Sequence, residues 1–146
     1  MKSMKDKHFL DTNVFIYAID TSPGLRKKRE IARHLIREHI QNETGVISIQ
    51  VLQEFYHVST HKIQVPLSTE EALEYLRYIA VLDTVHSEFD MIVAGIQLHK
   101  IHRISFWDAL IIQAALTAGC TRLLSEDLLH GFEIEQLMIG RLFYKM

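Results

Sequence analysis

Asp11, Glu54, Asp108 and Asp127 each interrupt a segment that is otherwise apolar: HFLDTNVFIYAI, VISIQVLQEFYHV, ISFWDALIIQAAL and TRLLSEDLL. Desolvating an unpaired carboxylate costs several kcal/mol or more, so acids normally occupy solvated faces. Acids set into apolar runs need partners, and one divalent cation can serve several of them. Hard cations such as magnesium or manganese take oxygen ligands, binding through a few carboxylates plus water and phosphate. In phosphodiester hydrolysis such an ion orients and activates a water, neutralises the phosphate and stabilises the leaving oxygen. Crowded carboxylates repel and raise one another's pKa, and cation binding relieves that repulsion. Thr12, Asn13 and Ser125 adjoin these acids and can hydrogen-bond to them or to the turn backbone.

Each acid also has an ordinary structural role open to it. Asp11 suits the N-cap of a helix carrying Val14 to Ile19. Asp108, three residues after Ser105, suits a first-turn acid facing the helix dipole. Glu54 could lie on a helix surface, and Glu126 and Asp127 in a solvated turn. At about 100° per residue, Glu54 sits roughly 40–60° from Val51 and Val58, on the border of an apolar face, where a carboxylate can point into a cleft. The coincidence of all four in apolar surroundings favours a shared site.

The elements that must position them follow from periodicity and punctuation. Residues 7–10 read as a strand, Asp11 stands at its carboxyl end, and VFIYAID continues as a helix. After the break at Thr21–Gly24, Leu25 to Asn42 reads as a helix with Ile31, Ala32, Leu35, Ile36 and Ile40 on one face. VISI is a buried strand, Ser48 caps a helix from about Ile49 to Lys62, and Ser68-Thr69-Glu70-Glu71 is a capping box opening a helix to about Ala80. VLDTV is a short strand. Ser87 with Asp90 starts a helix to about His99, and Ser105 starts another that runs through Ala118 and stops at Gly119. Thr121–Ser125 is a strand, and Gln136 to Phe143 reads as an edge strand. Short apolar strands alternating with helices predict one α/β domain over residues 1–146, with a central, mostly parallel sheet of about four or five strands flanked by helices. Sites in such sheets gather beyond the carboxyl ends of the strands. Asp11 and Asp127 each follow a strand there, and Glu54 and Asp108 lie in early helical turns at the same level.

Composition sets the bounds. At 146 residues with 48% hydrophobic and 23% charged residues, the chain suits one globular core. A net charge of −2 excludes a polycationic nucleic-acid coat, but not an enzyme that holds nucleic acid through a metal and a local basic patch. The single Cys120 reads as a small buried thiol. No apolar run approaches the roughly 18 residues of a membrane span, and MKSMKDKHFLD meets an acid before a signal core could form. A cytoplasmic protein is expected.

At these residues the chain resembles the PIN domain family, specifically toxin-like ribonucleases of VapC type. The matching segments are DTNVFIYAID at 11–20, SIQVLQEFYHV at 48–58, SFWDALIIQAALTAGC at 105–120 and LLSEDLLHG at 123–131, in the family's order. The motifs span residues 8–131. By that resemblance Asp11 is the first-strand metal acid, Glu54 the helix glutamate and Asp108 the principal acid of the later helix. Asp127 closes a Thr/Ser-x-Asp arrangement with Ser125 as its hydroxyl, although the adjacent Glu126 competes for that role. The resemblance further implies magnesium or manganese held by Asp11, Asp108 and Asp127, RNA cleavage by a metal-activated water that Glu54 ligates or orients, a homodimer, and a small antitoxin partner. Many relatives end in an Asn-Pro-Phe-like sequence. This chain ends Gly140-Arg141-Leu142-Phe143-Tyr144-Lys145-Met146, which leaves the last strand outside the resemblance.

Arg26, Arg29, Arg33 and Arg37 recur at spacings of three and four on one helix face, either as a solvated surface or as a phosphate-contact patch for RNA. Trp107 reads as a packing anchor, with base stacking as the alternative. Glu54-x-x-His57 is a lone ExxH, and with His61 it falls short of the two motifs a di-iron bundle needs. His130 reads as a turn residue. No P-loop, GxGxxG, HExxH or nucleophile elbow is present. The rival to a metal-dependent ribonuclease is a noncatalytic RNA-binding or protein-interaction module on the same fold, which would have no use for carboxylates that repel phosphate. Self-association is expected through the amphipathic helices at 25–42 and 68–80.

Overall fold

The computed structural model describes residues 6–128 and 130–143. The chain begins with β1 (His8–Leu10), α1 (Thr12–Ile19), α2 (Arg26–Gln41), β2 (Gly45–Ser48) and α3 (Ile49–His61). It continues through α4 (Thr69–Ile79), β3 (Asp83–Val85), α5 (Phe89–His102), α6 (Phe106–Thr117) and β4 (Arg122–Leu124), and closes with β5 (Glu133–Ile134) and β6 (Leu137–Gly140). The six strands form one sheet in the order β3-β2-β1-β4-β6-β5, parallel except for the β5–β6 pair. This is the expected α/β architecture with a mostly parallel sheet.

Strand order explains where a site can form. The steps β1 to β2 and β2 to β3 run in one direction, whereas the chain crosses back past them to place β4 on the other side of β1. Right-handed crossovers then put α1–α4 on one face and α5–α6 on the other. Packing agrees: α1 contacts α2 and α3, α3 contacts α4, and α5 lies against α6. The order reverses between β1 and β4, so a crevice opens beyond their carboxyl ends. Phe9, Leu10, Val46, Ile47 and Leu123 are fully buried or nearly so, as expected of short strands covered on both faces.

Local signals account for most boundaries. The Ser68 hydroxyl accepts the Glu71 N–H while the Glu71 carboxylate accepts the Ser68 N–H, the predicted capping box. Ser48 and Ser105 likewise accept the N–H groups of Val51 and Asp108. Gly119, at φ +73°, ends α6 as the sequence suggests.

Three details depart from the sequence reading. Helix α5 starts from Glu88, not Ser87, with no side-chain cap, and runs on to His102, where Arg103 takes the left-handed conformation at φ 55°. The sheet has six strands, not four or five. The predicted final edge strand, β6, is interior, because the two-residue β5 folds back antiparallel and takes the edge. The hairpin turn uses Glu135 at φ 52° with Gln136, where Asn-Gly or Asp-Gly would have been the recognisable sequence.

Candidate active site

The crevice between β1 and β4 is closed by hydrogen bonds that begin where the strands end. Asp11 N–H donates to the Leu124 carbonyl at 3.0 Å, and Ser125 N–H donates to the Gly140 carbonyl at 3.1 Å. The backbone thereby carries Asp11 and Ser125 side by side out of the sheet. The Ser125 hydroxyl donates to Asp11 Oδ2 at 2.7 Å, and Thr12 N–H donates to Asp11 Oδ1 at 2.7 Å. Asp11 is the N-cap residue of α1, the ordinary role its sequence position suits. The positive end of the helix dipole favours its charge. Burial outweighs this help and pushes the Asp11 carboxyl up to about 6, opposed by the Ser125 and Thr12 hydrogen bonds and reinforced by the charges of Glu54 and Asp127.

Those two acids arrive from opposite sides. The Thr12 hydroxyl donates to Glu54 Oε2 at 3.2 Å, tying the second turn of α3 to the first turn of α1. Gln50, one turn earlier on α3, donates to Glu54 Oε1 at 2.6 Å and to the Trp107 carbonyl at 3.2 Å. It thereby links α3 to the start of α6 across the site. On the other side the Asn13 amide donates to Asp127 Oδ2 at 3.1 Å, and its carbonyl accepts the Glu126 N–H at 3.3 Å. Asp127 N–H donates to Ser125 Oγ at 3.2 Å. The 125–127 turn is thus held to α1 by Asn13.

The structure separates the two adjacent acids. Asp127 turns towards Asn13 and contributes to the field at Asp11. Glu126 turns away: it accepts from Arg141 Nη2 at 3.1 Å and from the Phe143 N–H at 3.1 Å, clamping the C-terminal segment. Asp108 sits in the first turn of α6, its N–H capped by Ser105. Because α6 ends just before β4 begins, its first turn lies at the carboxyl end of the sheet, and the Gln50 bond confirms that level. Among the described residues the Asp108 carboxylate takes no hydrogen bond or ion pair.

As they stand, no three Asp, Glu, His or Cys side chains among the described residues form a ready-made ligand set. Hydroxyl and amide groups of Thr12, Asn13, Gln50 and Ser125 occupy oxygens of Asp11, Glu54 and Asp127 instead. The donor chemistry fits a hard divalent ion nonetheless: every acid offered is a carboxylate, and one of them, Asp11, has its pKa raised first by burial and then by the charges of Glu54 and Asp127. The structure uses other predicted residues differently. Arg29 Nη1 donates to the Asp20 carbonyl at 2.9 Å and Arg33 Nε to the Ala18 carbonyl at 2.7 Å, so both complete the carboxyl end of α1. Arg26 pairs with Glu30, and Arg37 lines a groove with Tyr75 and Tyr78. His57 and His61 stack on each other on the exposed side of α3, apart from the Glu54 contacts. Trp107, read as a packing anchor, is 64% exposed, because the apolar face of α6 begins only at Ala109. Gln50 was missed by the sequence reading. Its i, i+4 spacing to Glu54 was the available signal.

The switch point of the parallel sheet thus brings Asp11, Glu54 and Asp127 from three separate segments into one region. The PIN domain family model matches residues 8–129, and the chain belongs to that family. Among solved structures it is similar to the DNA-bound VapBC of Salmonella typhimurium, at 19% identity and TM-score 0.67, covering 94% of this chain and 99% of that one. VapBC2 of Rickettsia felis, bound to a promoter DNA fragment, matches at 21% identity and TM-score 0.64, covering 92% and 97%. VapC20 of Mycobacterium tuberculosis, described as a toxin cleaving the sarcin–ricin loop, matches at 16% identity and TM-score 0.63, covering 80% and 87%. No curated protein gave a significant match. No helix among the described residues is long and apolar enough to cross a membrane.

Proposed function

We propose that this chain is a magnesium- or manganese-dependent endoribonuclease, the VapC-type toxin of a toxin–antitoxin pair. The observation that carries the reading is Asp11: a buried carboxylate at the sheet's switch point, fixed by Ser125 and Thr12, with Glu54 and Asp127 close enough to raise its pKa. A structural acid gains nothing from such neighbours, whereas a cation site requires them. Asp11, Asp108 and Asp127 would hold the ion, which when bound supplies charge neutralisation at the phosphate and an acidified water.

The chain's own groups then divide the remaining work. Ser125 and the Thr12 amide keep Asp11 in one orientation, and Asn13 holds the Asp127 turn against α1. Glu54, aimed by Thr12 and Gln50, orients the attacking water and accepts its proton. Of the arginine stripe, Arg37 is the first candidate for phosphate contact, since Arg29 and Arg33 are committed to α1 carbonyls and Arg26 pairs with Glu30. A small antitoxin belongs to the same reading, supported by the VapBC and toxin–antitoxin complexes that share the fold, and an RNA substrate and a homodimer are expected with it.

Purified protein on single-stranded and structured RNA, with manganese or with EDTA, tests it. Cleavage should require the metal and fall by about a hundredfold or more in Asp108→Asn, as expected when several kcal/mol of charge stabilisation is lost. Cleavage that persists in EDTA or in the variant would refute the metal-acid mechanism.

A further inference from the structure

Trp107 is the chain's only tryptophan. Its 64% exposure would be unremarkable on an ordinary surface. Its placement is not ordinary, because it directly precedes Asp108 on the first turn of α6 and three contacts fix it there. The Ser105 hydroxyl caps the turn. The Phe106 ring meets the indole edge-on, with centroids 5.2 Å apart and planes at 65°. Gln50 holds the Trp107 carbonyl with the same amide nitrogen that holds Glu54. One side chain therefore sets the indole-bearing backbone relative to an acid of the site.

An exposed indole on the residue next to Asp108, on a backbone tied through Gln50 to Glu54, suits one part of a nucleic acid. Phosphates are repelled by the acids unless a cation intervenes, but every nucleobase has an uncharged π-face, and base–aromatic stacking tolerates sequence. We propose that Trp107 is the stacking platform for an unpaired base beside the scissile phosphate. The ligand class is single-stranded RNA or a loop whose bases are splayed out, because a base inside a continuous duplex has no free face to offer. This deepens the ribonuclease reading and rests on it.

As the sole indole, Trp107 reports on itself through intrinsic fluorescence. Asp11→Asn protein, used to prevent turnover, is titrated with a short single-stranded oligoadenylate, an abasic ribose-phosphate oligomer of equal length, and duplex RNA. Oligoadenylate should quench the emission strongly, and the other two should not. In cleavage assays Trp107→Ala should raise KM about tenfold with a smaller effect on kcat, and Trp107→Phe should recover most of the loss. Unchanged emission with oligoadenylate, or equal quenching by the abasic oligomer, would overturn the proposal. So would a concentration-dependent blue shift without RNA, which would assign the indole to a contact between copies of the chain. If wild-type protein shows no metal-dependent cleavage, the ribonuclease reading falls, while the emission titration still decides the stacking.

Discussion

Asp11 carries opposing physical demands: burial favours its neutral form, while two hydrogen bonds and a helix N-terminus favour its charge. Burial prevails, and the folded carboxyl titrates at about 6 against an ordinary value of 3.8. The native state therefore holds a proton that the unfolded chain has already released, so this group's contribution to stability is fully present below 3.8 and is lost as pH rises through about 6. In EDTA, this group should cost on the order of 2–3 kcal/mol between those two values. Thermal melts of Asp11→Asn should lack that decline. A variant whose pH profile parallels the wild type would contradict the assigned environment. The neighbouring acids divide by role. Asp127→Asn should depress RNA cleavage far more than Glu126→Gln, because Asp127 faces the site and Glu126 holds the Arg141 guanidinium and the Phe143 backbone N–H. Cleavage rates of the two variants side by side decide it, and equal losses would undo the division.

Between elements, the close fit at the start of β2 fixes the geometry below the site. A Cβ on Gly45 would meet Leu82 Cδ2 at 2.7 Å and His39 Cβ at 3.0 Å, so β2 passes α2 and the start of β3 with only hydrogen to spare. Gly45→Ala should destabilise the fold by about 1–3 kcal/mol, measured by denaturant unfolding, and an unchanged midpoint would show that the contact is slack. Helices with strong local chemistry were legible in the sequence: the Ser68 capping box, the Ser48 and Ser105 caps and the Gly119 stop all stand where they were read. What was not legible depends on tertiary context. Glu88 begins α5 without a side-chain cap, and the β5–β6 hairpin turns through Glu135 without glycine. Of the site, the acids could be read because carboxylates in apolar runs are costly. Gln50 could not, since its contacts depend on how α3 meets α6, and for the same reason the exposure of Trp107 went against its reading as a packing anchor.

Across the whole molecule, the two ends of the sheet differ in their titrating groups. The carboxylates of the candidate site lie at the carboxyl end, while His8 and His39 meet at the other end with ring centroids 4.8 Å apart and planes tilted at 54°. Burial lowers both imidazole pKa values; Arg122 adds to the effect at His8, and His8 adds to it at His39, against opposition from Asp6 and Glu38. As pH falls below the ordinary value of 6.5, the unfolded chain takes up protons that the folded pair refuses, so the pair makes the fold less stable in acid. His39→Gln should flatten that part of the profile in thermal melts. A profile identical to wild type would contradict it. The sheet's switch point is what makes the distant motifs one site, bringing β1 beside β4 and, with them, residues more than a hundred positions apart. The account's central claim is that this convergence is a metal-dependent RNA-cleaving centre. The most direct test is the RNA cleavage rate of wild-type and Asp11→Asn protein as manganese is titrated from an EDTA-treated start. Rate should rise saturably with manganese in the wild type and stay at background in the variant; equal rates in both, or a wild-type rate indifferent to the metal, would contradict the claim.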